Sequence, residues 1–276
     1  MQITVKQLSK SYKDKTILDN ITFTIESGTV SGLLGVNGAG KSTLMKILFG
    51  LVQKSSGEIR FDGSSKNKHL LGALIETPAI YHNLSAFDNL KTKALLYDIP
   101  DSKIFETLEI IGLSNTGKKK AGKFSLGMKQ RLGIAQALLG RPKILICDEP
   151  TSALDPIGRK EILDILLSSK KQTTVLFSTH ILSDVERICT DVAFLNNGKI
   201  AMQGAVADLK NVCSSHEFIV ETIKADDAEY LSSVFTDAQL TAKDTLLFLG
   251  EQFKMFEVLE FITEHKILIS KIERVE

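Results

Sequence analysis

Gly35-Val36-Asn37-Gly38-Ala39-Gly40-Lys41-Ser42, followed by Thr43, decides how this chain folds and what it holds. The run fits G-x-x-x-x-G-K-[ST] at every fixed position, the pattern of a loop that wraps a polyphosphate. Its glycines let successive backbone N–H groups turn inward onto phosphate oxygens. Lys41 can reach the β- and γ-phosphates, and the Ser42 hydroxyl can coordinate Mg²⁺. A strand, Val30–Leu34, leads into the loop, and a helix from Ser42 to about Phe49 leads out of it. The positive end of that helix adds to the attraction for an anion. Residues 35–43 are therefore expected to bind a nucleoside triphosphate.

Composition sets the bounds around this loop. The 276 residues are 43% apolar and 24% charged, enough for one large domain or a main domain with a small appendage. A net charge of +1 argues against a nucleic-acid partner and against a membrane-surface field. Nowhere does the sequence approach the ~18 uncharged apolar residues in a row that a membrane-crossing helix needs. Met1–Lys6 reads as a strand and not as a leader. Three scattered cysteines, Cys147, Cys189 and Cys213, form no C-x-x-C pair, and reduced thiols in a cytosolic protein are expected.

From residue 1 to about 212, short β-rich runs alternate with helical periodicity, the pattern of a mixed or parallel sheet covered by helices. Candidate strands are Ile3–Leu8, Ile17–Ile25, Val30–Leu34, Lys143–Cys147, Thr174–Ser178 and Asp191–Leu195. A helical region spans Phe87–Gly112, interrupted at Pro100, within a helical subdomain of about residues 77–140. Residues 213–276 read strand, helix, strand, strand, helix, strand, a ferredoxin-like α+β order. Every motif with chemistry precedes that segment, so an accessory or regulatory role separable from the chemistry is expected for it.

Two further strand ends carry the reactive groups. Ile144-Leu145-Ile146-Cys147-Asp148-Glu149 is an apolar strand ending in adjacent carboxylates. A strand that emerges beside the phosphate loop brings Asp148 close to Ser42 and Mg²⁺. Glu149 can then orient and deprotonate the water that attacks the γ-phosphate. Leu176-Phe177-Ser178-Thr179-His180 ends a second apolar strand. If that strand neighbours the acid strand, His180 can contact the γ-phosphate beside Lys41 and Glu149.

Over residues 1 to about 212 these motifs, in this order, resemble the ATP-binding subunit of ABC transporters. The resemblance implies an α/β P-loop NTPase fold with a mixed sheet, Mg²⁺-dependent ATP hydrolysis coupled to transport, and action as a dimer closed by bound ATP. Tyr12 matches the aromatic residue that stacks on adenine. Phe124-Ser125-Leu126-Gly127-Met128-Lys129-Gln130-Arg131 takes the place of the family signature, usually Leu-Ser-Gly-Gly-Gln. Ser125 and Gly127 would face the ATP held by the opposite subunit. Ser152-Ala153-Leu154-Asp155 matches the loop across the dimer interface, with Asp155 acting in trans.

The departures from the family pattern narrow the reading. Leu126 and Met128 replace a glycine and the glutamine of the signature. No glutamine occurs between Lys54 and Lys129, where the family places one that senses Mg²⁺ and the membrane subunit. Glu76 follows an apolar strand at that position, and a carboxylate can ligate the metal but cannot donate as an amide does. Glu76 together with the run at 124–135 resembles the ATPase subunits of bacitracin-resistance and lantibiotic-immunity exporters. The resemblance implies separate permease subunits contacting about Glu76–Leu84 and attachment at the cytoplasmic face of the bacterial membrane. The alternatives are another exporter class or a non-transport ABC regulatory protein.

Overall fold

The computed structural model describes residues 1–13, 15–62, 70–211, 218–236, 238–249 and 255–274. The chain opens with β1 (Ile3–Tyr12), β2 (Lys15–Ile25) and β3 (Val30–Leu34), passes through α1 (Lys41–Phe49), and continues into β4 (Ser56–Phe61) and β5 (Leu71–Leu74). A helical stretch follows, with α2 (Ala86–Leu96), α3 (Asp101–Ile110) and α4 (Leu126–Leu138). Strands and helices then alternate as β6 (Ile144–Asp148), α5 (Pro156–Ser169), β7 (Thr174–Thr179), α6 (Leu182–Ile188), β8 (Asp191–Asn196) and β9 (Lys199–Ala205). After α7 (Val206–Asn211) come β10 (Phe218–Thr222), α8 (Ala225–Val234), β11 (Gln239–Ala242), β12 (Thr245–Phe248), α9 (Met255–Glu264) and β13 (Ile269–Arg274).

The central sheet has the order β5-β6-β7-β3-β8-β9, parallel except for the antiparallel β8–β9 hairpin. Strands β3, β6 and β7 are buried along their whole length, as continuously apolar runs require when helices cover both faces. Side chains alternate between those faces. Leu145, Cys147, Val175 and Phe177 pack with α2–α5, whereas Ile144, Ile146 and Leu176 pack with Leu44, Met45 and Leu48 of α1. A second sheet, β2-β1-β4, closes over the other side of α1.

Local chemistry fixes the helix ends. Ser85 caps α2 by accepting the Asp88 N–H at 3.1 Å, and the Asp88 carboxylate accepts the Ser85 N–H in return, the reciprocal box that satisfies two end donors. Pro100 supplies the break between α2 and α3, since proline cannot continue a helix from the preceding turn. Two strands join those expected from sequence, β4 beside β1 and β9 beside β8, and β1 runs on to Tyr12.

The C-terminal strands form an antiparallel sheet of order β11-β12-β10-β13, the strand order of a ferredoxin-like unit. The expected boundary at 212–213, with Cys213, lies outside the described residues. Phe218, Val220, Leu246 and Ile262 share one apolar cluster with Leu34, Leu182, Val185 and Phe194. The C-terminal sheet therefore packs directly on the outer half of the central one.

Candidate nucleotide site

The loop 35–42 joins the buried strand β3 to α1. Gly40, which precedes the helix, has φ 109°, and a Cβ there would lie 2.8 Å from Leu18 Cδ2. A Cβ on Gly35 would lie 2.2 Å from the Leu195 carbonyl oxygen. Both positions thus admit only glycine. Among the described residues, the N–H groups of Gly38, Gly40, Lys41 and Ser42 have no hydrogen-bond acceptor within the protein. A cluster of unpaired donors at the start of a helix fits an anionic ligand.

Lys41 is 4% exposed. Its Nζ donates to the carbonyls of Gly35 and Val36 at 2.8 and 3.1 Å and lies 3.1 Å from Oε1 of Glu149. The other oxygen of Glu149, Oε2, lies 3.2 Å from Nδ1 of His180. The three residues expected to be catalytic, Lys41, Glu149 and His180, thus form one connected group. Glu149 has a left-handed backbone, φ 45°, which turns its side chain out of the strand and toward the loop.

The route to this grouping differs in one respect from the sequence expectation. The acid strand β6 is not the direct neighbour of β3, because β7 lies between them. The register pairs Asp148 with Ser178, and Ser178 serves both acids. Its Oγ donates to Oδ1 of Asp148 at 2.6 Å and accepts the Glu149 N–H at 2.9 Å. Asp148 is nearly buried at 3% exposure, and its Oδ2 takes no hydrogen bond among the described residues. The donor set fits a divalent cation, which needs hard, anionic oxygen ligands. Ser178 was not foreseen, because its role follows from register alone.

A second unforeseen network lies just beyond. Thr151 Oγ1 donates to Oδ2 of Asp184 at 2.7 Å, and Arg159 Nη2 lies 2.6 Å from Oδ1 of the same carboxylate. Asp184, 2% exposed, is thereby fully paired, and it ties the segment after Glu149 to α6.

The remaining expected residues stand on other elements, each with its own local partners. Tyr12 ends β1, 48% exposed, with Lys10 Nζ 4.4 Å above its ring. Ser125 caps α4, its Oγ accepting the Met128 N–H at 3.3 Å. A Cβ on Gly127 would stand 3.9 Å from Leu154 Cδ2, in ordinary van der Waals contact. Asp155 caps α5 through the Gly158 N–H at 3.2 Å. Glu76 is exposed, and its Oε1 lies 2.5 Å from Lys46 Nζ, a hydrogen bond that raises the pKa of the Lys46 ammonium. Lys46 follows Ser42 by one helical turn, on the same face of α1. Residues 77–84 follow directly, pinned by buried Asn89, which accepts the Tyr81 N–H at 2.7 Å and donates to the Tyr81 carbonyl at 3.0 Å. Beside them a cavity of about 340 Å³ is lined by Leu51, Leu74, Ile75, Thr77 and Gly133.

A glycine loop between a buried strand and a helix, with paired acids at the end of a nearby parallel strand, defines a P-loop nucleoside triphosphatase. The ABC transporter family model matches residues 18–152. The lantibiotic transport ATP-binding protein SrtF of Streptococcus pyogenes is 47% identical over 203 residues, 72% of this chain and 89% of that protein. The bacitracin transport ATP-binding protein BcrA of Bacillus licheniformis is 42% identical over 207 residues, 72% of this chain and 68% of that protein. Among solved structures, cbiO1 from Clostridium perfringens, part of the ABC transporter complex cbiONQ, is similar with a TM-score of 0.68 and 28% identity, covering 76% of this chain and 93% of that one. The chain belongs to the ATP-binding proteins of the ABC transporter family. It binds nucleotide, and its activity is ATP hydrolysis coupled to transport. Among the described residues no helix is long and apolar enough to cross a membrane.

Proposed function

We propose that this chain powers an exporter that removes lantibiotic or bacitracin-type peptides from the bacterial membrane, giving immunity or resistance to them. The observation that carries this reading is 47% and 42% identity to subunits named for lantibiotic and bacitracin transport. In this reading the chain sits at the cytoplasmic face, held there by separate permease subunits that dock on Glu76–Leu84.

Within the site, Lys41 and the free N–H groups of the loop bind the β- and γ-phosphates of ATP, and Tyr12 stacks on adenine. Ser42 and Asp148 would hold Mg²⁺, with Glu76 as a further ligand. The metal, when bound, supplies positive charge that neutralises the transferring phosphoryl group. Glu149 orients the attacking water and accepts its proton. His180, fixed through Nδ1 by Glu149, offers Nε2 to the γ-phosphate. A second copy of the chain contributes Ser125, Gly127 and Asp155 across the nucleotide, so ATP closes a homodimer and hydrolysis opens it.

The reading is tested in a sensitive bacterial host that carries the chain with its cognate permease genes, with survival measured against lantibiotics and bacitracin. Protection against at least one of these peptides, abolished by Glu149→Gln, is the expected result. Wild-type protein that protects against none of them overturns the cargo assignment.

A further inference from the structure

A buried side chain ties the C-terminal sheet to the hairpin that borders the phosphate loop. Asn196, at the end of β8, is fully buried. Its Nδ2 donates to the Ile267 carbonyl at 3.3 Å, and its Oδ1 accepts the Ile269 N–H at 3.1 Å. Between those two residues, the Leu268 carbonyl accepts the Ile223 N–H from just past β10 at 2.9 Å. The amide of Asn196 thus clamps the connection between α9 and β13. Asparagine suits this task because its head group carries a donor and an acceptor in one plane.

The opposite side of the same hairpin meets the phosphate loop. The Leu195 carbonyl is the group that excludes any Cβ at Gly35. The Gly198 N–H donates to the Ala39 carbonyl at 3.1 Å, while the Gly198 carbonyl accepts the Asp19 N–H at 2.8 Å. Residues 195–198 therefore carry the C-terminal clamp on one side and two positions of the phosphate loop on the other.

We propose that Asn196 is a positioning residue for nucleotide binding, fastening the C-terminal sheet to the β8–β9 hairpin so that the phosphate loop keeps its anion-binding shape. The loop acts through the directions of its N–H groups, and small displacements of such groups are costly. A buried amide stripped of its partners does not stay unpaired at low cost, so breaking the clamp shifts the hairpin and the loop with it. This gives the C-terminal sheet a part in nucleotide binding, and it rests on the nucleotide-binding reading of the loop.

The test uses the full chain and calorimetric titration with Mg-ATP, alongside steady-state turnover. Asn196→Ala removes the clamp from one side. Ile269→Pro removes its N–H from the other, at the first residue of an edge strand, where proline is tolerated. Leu246→Ala is the control, because Leu246 is fully buried in the C-terminal core and makes no part of the clamp. Both clamp variants are expected to raise the Kd for ATP about tenfold, with kcat at saturating ATP little changed. The control should leave Kd within about twofold at a comparable loss of Tm. An unchanged Kd in the clamp variants, or an equal rise in the control, overturns the proposal. If Asn196→Ala does not fold, Ile269→Pro against Leu246→Ala decides it. A wild-type chain that fails to bind ATP would instead sink the reading of the loop itself.

Discussion

Glu149 stands between a cation and an imidazole, its Oε1 3.1 Å from Lys41 Nζ and its Oε2 3.2 Å from His180 Nδ1. One carboxylate just past β6 thereby links the phosphate loop to the end of β7. Two separate losses follow from that position. Glu149→Gln keeps the shape and removes the base, so ATP binding should persist while hydrolysis falls by ~10²–10⁴-fold. With Mg-ATP this variant should elute as a dimer in size-exclusion chromatography. Lys41→Ala should bind ATP too weakly to detect, and should neither turn over nor dimerise. A monomeric Glu149→Gln protein with wild-type ATPase activity would refute the assigned roles.

Ser178 holds both acids, and its removal should be felt at both. Ser178→Ala frees Oδ1 of Asp148 and leaves the Glu149 N–H without an acceptor. Partners that orient metal ligands typically contribute about 10–100-fold in metal affinity or activity. The Mg²⁺ concentration needed for half-maximal ATPase should rise within that range, while the far-UV circular dichroism stays native. A flat Mg²⁺ response would reduce Ser178 to a packing residue.

Glu76 tests the link between nucleotide and membrane partner. Its pair with Lys46 is exposed, so it is worth at most about 1 kcal/mol in stability, and Glu76→Ala should fold normally. Because the pKa of Lys46 is raised from 10.5 by the Glu76 hydrogen bond, any stability it lends is fully present below about pH 10.5 and fades only as pH rises through the folded value. Neutral-pH assays therefore read the partner role and not titration of Lys46. Glu76→Ala should impair protection against peptide antibiotics more than ATP binding. Glu76→Gln should retain ATPase activity with weaker protection. Full protection by Glu76→Ala would make it an ordinary surface residue.

Two thiols should resist alkylation in the folded protein. Burial pushes the pKa of both Cys147 and Cys189 upward, with Asp148 adding to the first and Asp191 to the second. Only the thiolate alkylates readily. Under native, mildly alkaline conditions iodoacetamide should leave Cys147 unmodified and reach Cys189 slowly, whereas both should react in guanidinium. Peptide mass spectrometry measures each site directly.

Much of this arrangement was legible in the residues. The glycine pattern at 35–42, the apolar runs ending in Asp148-Glu149 and His180, and the strand and helix order of the C-terminal segment all express local preferences. Strands β4 and β9 did not stand out, because edge strands such as Ser56–Phe61 bury only part of their side chains and carry weak apolar patterning. Ser178 and Asn196 were silent for another reason. A serine inside an apolar strand, and an asparagine before Asn197-Gly198, look like packing and turn residues until register and tertiary contacts give them partners. Sheet order has the same origin, since nothing local says that β7 separates β6 from β3.

The left-handed backbone of Glu149 carries a consequence for engineering. Holding a glutamate at φ 45° costs about 1–2 kcal/mol relative to a residue at ease there. Glycine or asparagine would relieve that strain, and both would end hydrolysis. A screen that rewarded heat resistance alone would thus be drawn to position 149 and would collect tougher proteins that consume no ATP. Durability and work are opposed at this residue, and the chain has settled on work.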